Sequence, residues 1–171
     1  AVEVGEIIAR SIARAMSKKM DNIVFNGDGT STYFGIVGIR QLLSNEFGVD
    51  GGAGLIVGTG NAYSELVLSD FEEVVGSLPQ YADTPNTKWF CHRYFFWTVM
   101  ADLMLAKGGV TVRETEDGPR LMFLGYQVAI SQVMPKTEAN SQVCALLGDL
   151  RQAMMIGDRK QVEVKQSEHY K

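Results

Sequence analysis

The sequence predicts an α+β fold, in which a long spine-like helix precedes a compact mixed domain with a central β-sheet flanked by helices. In the first part of the chain, apolar residues recur at three- and four-residue steps, as they do on one face of a helix. From Val110 onward they alternate instead, as in half-buried strands. Because helices come first and strands crowd the end, the order indicates α+β rather than a doubly wound sheet.

The composition is that of an ordinary globular chain. Of the 171 residues, 46% are apolar and 21% are charged, and the formal net charge is -4. A chain of this length can bury a sizeable core. Lysine and arginine are scattered, which disfavours a basic face for nucleic acid. No apolar run approaches the ~20 residues of a membrane span, so no membrane partner is predicted.

The two cysteines are predicted to be free thiols. Cys91 and Cys144 lie far apart and in no metal-ligand spacing, and Cys91 is embedded in an apolar run. Disulfides are rare in reducing compartments, so two buried thiols without a disulfide bond are the favoured interpretation.

The first predicted element is an amphipathic helix from Val2 to Phe25. It has about six turns and a length of roughly 35 Å. Charged residues fill the side opposite the apolar stripe. So long a stripe needs a partner surface, which is either another subunit or a sheet of the same chain. The stripe comprises Val4, Ile8, Ile12, Ala15, Met16, Met20 and Ile23.

A glycine-rich segment, Asn26-Gly27-Asp28-Gly29-Thr30, follows this helix and precedes Gly35. It lacks the Lys-Ser/Thr pair of a phosphate loop, which also follows a strand and not a helix. It lacks the alternating acidic positions and distal Glu of a calcium loop. Glycine and Asn tolerate the left-handed conformation at which helices end, so the segment is predicted to be a structural junction that turns the chain.

The middle of the chain predicts short elements and loops. Gly35 to Leu43 is apolar and predicts a short strand or a turn of helix, and Ser44 to Gly60 predicts a glycine-rich loop. Ser69 and Glu72 have the spacing of a capping box, which predicts a helix from Ser69 to Leu78, closed by Pro79.

Strands and one very apolar helix are predicted after residue 87. Lys88 to Cys91 predicts a buried strand, and His92 is placed to cap a helix from Arg93 to Ala106. The helix is apolar nearly all round, so it should pack on more than one side. The later predicted segments are a hairpin of 110–114 and 120–123 turning at Asp117-Gly118, strands at 126–130 and 143–147, an extended 154–156, a turn at 157–159 and an alternating 162–164.

Few residues have the chemistry of an active site. A small hydrolase using Asp28 or Asp102 with His92 is one hypothesis. A separate pairing of His92 with the neighbouring Cys91 is disfavoured, because adjacent residues of a strand point to opposite faces. Asp102 is more often the partner of an arginine or a backbone amide. No nucleophile-elbow, zinc-protease or dinucleotide motif occurs. No catalytic, cofactor-binding or metal residue is therefore predicted.

The aromatic run from Trp89 to Trp97 has two interpretations. Without interleaved basic residues it is better explained as core than as a base-stacking surface. A peptide-binding module would expose Phe95 and Phe96, whereas a core helix would bury them.

Three motifs occur in order along the chain. A long helix ends in Phe25-Asn26-Gly27-Asp28-Gly29 and is followed by Gly35-Ile36, Leu121 to Val128 is followed by Ser131 to Pro135, and Leu147-Gly148-Asp149-Leu150 comes last. In this order they resemble the "GDG…GI" junction, the "LLGYPV" with "S..MP" behind it, and the "GDF" of the major capsid protein of tailed phages, which has the Hong Kong 97-type fold. Gln127 stands where that family usually has proline.

The resemblance implies a domain organisation and a function. Residues 1–30 would be part of a peripheral-domain spine helix with its junction, 31–157 the axial domain, and 158–171 a truncated return strand. The protein would self-assemble through hexamers and pentamers into an icosahedral shell enclosing DNA, with scaffold or portal proteins as further partners. It would occupy the virion capsid, and the host cytoplasm during assembly. An encapsulin-like compartment shell would share the fold.

Overall fold

The computed structural model describes residues 4–46, 54–115, 118–140 and 142–155. It is a mixed α+β structure with a long N-terminal helix and a five-stranded mixed sheet. The coarse fold class predicted from the sequence is therefore confirmed.

Helix α1 runs from Val4 to Asn26 and contacts the rest of the chain through its C-terminal end. Its buried residues are Ile23 and Phe25. The apolar stripe before them is exposed, with Val4 at 70% and Ile12 at 39%. Within the described residues the stripe is not covered by the chain's own sheet, which was one of its two predicted partners.

Helix α2 (Ile39–Glu46) occupies the region predicted as a short strand or a turn of helix. It also extends into the predicted 44–60 loop, which was wrong for residues 44–46. Residues 54–60 contain no helix or strand, and 47–53 lie outside the described residues. A 3₁₀ turn at Ser31–Tyr33 precedes α2.

Helix α3 (Leu68–Ser77) begins before the predicted start. The capping box of Ser69 and Glu72 was wrong, because the buried Leu68 already belongs to the first turn. The carboxylate of Asp70 instead accepts a hydrogen bond from the backbone N–H of Val67 at 3.0 Å. The N-cap is therefore Val67, with Asp70 at N3, two residues before the predicted cap at Ser69.

The sheet has the order β2-β3-β4-β1-β5. Its strands are β1 (Lys88–Cys91), β2 (Val112–Thr115), β3 (Gly118–Phe123), β4 (Tyr126–Ile130) and β5 (Ala145–Gly148). Trp89 of β1 lies opposite Val128 of the parallel β4 and Leu147 of the antiparallel β5. The strands predicted between residues 88 and 147 are confirmed with shifted ends. Of the turn predicted at Asp117-Gly118, Gly118 begins β3 and Asp117 lies outside the described residues.

Two hydrophobic clusters hold the domain together. The larger one contains Phe71, Trp89, Phe95 and Phe123 between the helices and the sheet, and the smaller one contains Phe25, Met134 and Leu146. Phe95 and Phe96 are 1% and 0% exposed. Their burial contradicts a peptide-binding surface that exposes these two residues. The core interpretation of the aromatic run is confirmed for Trp89, Phe95 and Phe96 but was wrong for Tyr94 and Trp97, which are each 50% exposed.

The apolar helix predicted at 93–106 is not regular. It consists of α4 (Arg93–Phe95), a π-helical stretch Phe96–Met100 and α5 (Ala101–Ala106). The backbone N–H of Ala101 reaches back five residues to the carbonyl of Phe96. A π-turn inserts one residue into the helical repeat, which shifts the face that the following residues present.

The described chain ends with α6 (Leu150–Ala153), a helix that the sequence did not predict. Asp149 caps it by accepting from the backbone N–H of Arg151 at 3.0 Å, and also accepts from the Thr84 hydroxyl at 2.7 Å. Met154 and Met155 follow without forming the predicted strand-like segment. The predictions for 156–171, including the return strand at 158–171, lie outside the described residues.

Candidate functional site

The predicted junction after α1 is a tightly hydrogen-bonded reversal of the chain. Asp28 and Val37 form an isolated antiparallel bridge. The backbone N–H of Gly29 donates to the carbonyl oxygen of Ile36 at 3.1 Å, and the backbone N–H of Gly38 donates to the carbonyl oxygen of Gly27 at 2.8 Å. The turn predicted at Asn26–Gly29 is therefore confirmed.

The junction glycines are required for two different reasons. A Cβ on Gly27 would lie 2.4 Å from the carbonyl oxygen of Ile36, so the limit there is space. Gly29 and Gly35 have φ of +81° and +74°, where the limit is backbone conformation. Gly38 approaches Gly27 from the other side of the bridge, and no sequence pattern had marked it.

Asp28 serves the turn itself. Its carboxylate accepts from the hydroxyl of Thr30 at 2.6 Å and from the backbone N–H of Thr30 at 2.9 Å. These hydrogen bonds, the hydroxyl first, lower the pKa of Asp28 below its ordinary value. The geometry is that of an Asx turn, which explains an acidic residue at this position without a ligand.

Asn26 joins three parts of the chain. Its side-chain amide donates to Asn22 Oδ1 and to the carbonyl of Val133, both at 2.8 Å. Its own Oδ1 accepts from the guanidinium of Arg40 on α2. The last turn of α1, α2 and the segment after β4 are thereby connected through one side chain. No sequence pattern marks Arg40 or Val133 as partners of Asn26, because both are distant from it in the chain.

Replacing Asn26 by alanine should lower the free energy of unfolding by about 2 kcal/mol, because part-buried groups on Arg40 and Val133 lose their partner. Urea unfolding followed by circular dichroism measures the change. Asn22→Ala removes one of these contacts only and should cost about 1 kcal/mol or less. Equal losses in the two variants would contradict the connecting role of Asn26.

The junction also displays an apolar surface. Phe34 is 74% exposed and adopts a left-handed conformation with φ of 56°, which is uncommon for a bulky residue. Ile36 and Val37 are 47% and 45% exposed beside it. Lys19 of α1 donates to the carbonyl of Thr32 at 3.0 Å, which holds this turn against the helix.

Comparison with known proteins decides what kind of chain carries this junction. The model of the phage capsid family matches residues 1–171. The chain belongs to the phage capsid family. No curated protein and no solved structure matches it. Members of the phage capsid family are structural, non-enzymatic components of the virion.

The positions of Asp28, Asp102 and His92, the three residues of the hydrolase hypothesis, agree with a structural and non-enzymatic family. His92 accepts the backbone N–H of Tyr94 at Nδ1, at 3.0 Å, which confirms its predicted capping role. Asp28 is engaged by Thr30, and Asp102 is an exposed residue of α5. Within the described part of the chain no hydrogen bond links these side chains, and a structural capsid family gives the hydrolase hypothesis no support.

The described residues of this capsid-family chain contain no group of three or more His, Cys, Asp or Glu placed to hold a metal ion. None of the helices that the structure describes is long and apolar enough to cross a membrane.

Both cysteines are free, as predicted. Burial raises the pKa of Cys91 to about 12 and also raises that of Cys144. Burial thus favours the neutral thiols in the folded state. The stability that the thiols contribute is fully present below the unfolded thiol pKa of about 8.5, and it is lost as pH rises toward the pKa of the folded state.

Iodoacetamide at pH 8 should therefore leave Cys91 unmodified in the folded protein. The thiolate is the reactive form, and the raised pKa keeps Cys91 a neutral thiol at this pH. Peptide mass spectrometry measures the modification at each thiol. In urea both thiols should react at similar rates, which is the control. Native Cys91 that reacts as fast as the unfolded chain would contradict the prediction.

Proposed function

We propose that the protein is a major capsid subunit of the Hong Kong 97-type fold that self-assembles into an icosahedral shell enclosing DNA. The observation that carries the proposal is the family match over residues 1–171. The long N-terminal helix, followed by a mixed sheet domain, is compatible with it. In this proposal α1 is the spine helix, 31–157 the axial domain, and 158–171 the return strand toward the peripheral domain.

Asn26, Gly27, Asp28, Gly29 and Gly35 then form the structural junction between the spine helix and the axial domain. Their proposed role is to fix the direction in which α1 leaves the domain. The hydrogen bonds of Asn26 to two separate segments support this role, since they restrain the helix at its base. No reaction is assigned to these residues, and no cofactor is proposed.

The proposed partners are copies of the same chain, arranged as hexamers and pentamers, with scaffold or portal proteins as additional partners. Assembly would take place in the cytoplasm of the bacterial host. Support comes from α1, whose apolar side chains are exposed over most of its length. Exposed contiguous apolar surface of this kind marks protein–protein contacts.

Electron microscopy of the native, full-length protein after expression tests the proposal. Icosahedral shells containing DNA would support it, and dispersed monomers under assembly conditions would overturn it. Shells that contain protein cargo and no DNA would favour the alternative, an encapsulin-like compartment.

Ile12→Glu in α1 should abolish assembly while leaving the folded subunit intact, because Ile12 is 39% exposed and does not belong to either core cluster. Sedimentation velocity measures assembly, and circular dichroism measures the fold. Arg14→Glu introduces the same side chain on the charged side of the helix and should assemble normally. Assembly by the Ile12 variant would exclude the stripe as a contact between subunits.

A further inference from the structure

The junction contains the one Asn-Gly pair of the sequence, Asn26-Gly27. An asparagine followed by glycine is prone to deamidation, because glycine has no side chain to obstruct attack by its own backbone nitrogen. The Gly27 nitrogen forms a bond to Asn26 Cγ, the Cγ–Nδ2 bond breaks, and the former amide proton of Gly27 leaves with the ammonia. Water then opens the resulting five-membered imide at either carbonyl, which gives aspartate or isoaspartate.

The folded junction restrains the attacking nitrogen. Asn26 is the last residue of α1, so the N–H of Gly27 points back along the helix and donates to the carbonyl oxygen of Ile23 at 2.9 Å. Gly38 lies against the same nitrogen, since a Cβ built on Gly38 would be 2.6 Å from it. The nitrogen is therefore hydrogen-bonded, directed away from the Asn26 side chain and enclosed by a second segment of backbone.

The side chain that would be attacked is restrained as well. Its amide nitrogen donates to Asn22 Oδ1 and to the Val133 carbonyl, both at 2.8 Å, and its oxygen accepts from the guanidinium of Arg40. Val133 lies 107 positions further along the chain, so this contact exists only in the folded domain. Ring closure at Asn26 would have to break all of these hydrogen bonds, and the protection is lost when the junction opens.

The products of deamidation fit the closed junction poorly. Aspartate at position 26 has no N–H, so it would place acceptor oxygens against Asn22 Oδ1 and the Val133 carbonyl and would keep only the contact to Arg40. Isoaspartate lengthens the backbone immediately before Gly27, where a single added carbon would already lie 2.4 Å from a backbone oxygen. Both products therefore oppose closure.

We propose that Asn26 is a deamidation site that the closed junction protects and an open junction exposes. A chain that closes the junction keeps its asparagine, and a chain whose junction stays open is converted irreversibly to a form that closes poorly. The site thus acts as a one-way check on the docking of α1 onto the domain. It does not depend on the proposed capsid function, because all of its contacts lie within one chain.

The first test compares folded and unfolded protein at pH 8, with and without guanidinium chloride. Peptide mass spectrometry measures conversion of Asn26, and chromatography separates aspartate from isoaspartate. Conversion should be at least about tenfold slower in the folded protein, since it requires local opening of the junction. Asn61 is followed by alanine and should convert more slowly than Asn26 in the unfolded chain. Equal rates at Asn26 in the folded and unfolded protein would overturn the proposal.

Gly38→Ala opens the junction without changing Asn26 or Gly27. Its methyl group would lie 2.6 Å from the Gly27 nitrogen, so Asn26 should convert about fivefold or more faster in the absence of denaturant. Gly76→Ala adds the same group in α3, where it meets no atom within 4 Å, and should leave the rate unchanged. Circular dichroism reports whether each variant is folded, and an unchanged rate in folded Gly38→Ala would overturn the proposal.

Arg40→Met provides the test if Gly38→Ala prevents folding. It removes the guanidinium contact to Asn26 and keeps an apolar side chain, so a folded Arg40→Met protein should also convert faster than the unchanged sequence. A rate equal to that of the unchanged sequence would contradict protection by these contacts.

Refolding tests the irreversible step. Protein kept in guanidinium chloride for increasing times and then diluted should refold in decreasing yield, and converted chains should be depleted from the folded fraction. Asn26→Gln is the control, because ring closure from glutamine requires a larger ring and is slower, so its yield should not fall with time. Converted chains that refold as fully as unconverted ones would overturn the one-way role of Asn26.

Discussion

Replacing Phe123 by alanine is expected to lower the free energy of unfolding by about 3–5 kcal/mol. The ring is 0% exposed and lies between Phe71 and Trp89, at centroid distances of 5.1 and 5.6 Å. Both contacts are edge-to-face, a geometry that adds to simple burial. Removing the ring leaves a cavity where the sheet and the helices meet. The cavity can close only if the sheet and the helices shift relative to each other.

Chemical denaturation monitored by tryptophan fluorescence measures this loss, since Trp89 is a direct neighbour. Phe34→Ala deletes the same atoms from a residue that is 74% exposed, and should change stability by less than about 0.5 kcal/mol. Similar losses in the two variants would show that Phe123 is not at the centre of the core.

The second large effect is expected at the junction, where Gly27→Ala should cost about 2–3 kcal/mol. The added methyl group would lie 2.4 Å from the carbonyl oxygen of Ile36 and 2.7 Å from that of Ile23. Both are backbone atoms, so the clash cannot be relieved by rotating a side chain. The bridge between residues 28 and 37 would have to open.

Two further glycines separate space from conformation as causes. Gly35→Ala meets no atom within 4 Å but has φ of +74°, so it should lose about 1 kcal/mol through strain alone. Gly76→Ala in α3 has neither problem and should gain about 0.5–1 kcal/mol from better helix propensity. Urea denaturation of the three variants gives the order, and a neutral Gly27→Ala would contradict the close approach.

Much of the fold was predictable because local patterns determine it. The period of α1, the apolar strand at Trp89 and the capping position of His92 depend on residues close together in sequence, and the structure confirms them. The junction turn was predictable for the same reason, since Asn, Gly and Asp have intrinsic preferences for such conformations.

Features that depend on distant contacts were not predictable. Leu68, the first residue of α3, is buried in the larger cluster, and α6 begins at the cap of Asp149, whose carboxylate also accepts from the Thr84 hydroxyl. The Arg40 contact to Asn26 and the close approach of Gly38 likewise arise only when the chain is folded. The π-helical stretch Phe96–Met100 had no signal in the periodicity. The prediction that this helix packs on more than one side was wrong, because Trp97 and Leu105 on its other face are 50% and 62% exposed.

The position of β1 in the sheet has a consequence for biosynthesis. Its two neighbours, β4 and β5, both lie well after it in the chain, so Trp89 lacks its strand partners Val128 and Leu147 until residue 147 has left the ribosome. Contacts that span so much sequence form slowly. During translation the nascent chain therefore exposes both the apolar strand β1 and the apolar helix that follows it. Such a state is prone to aggregation and is a target for chaperones.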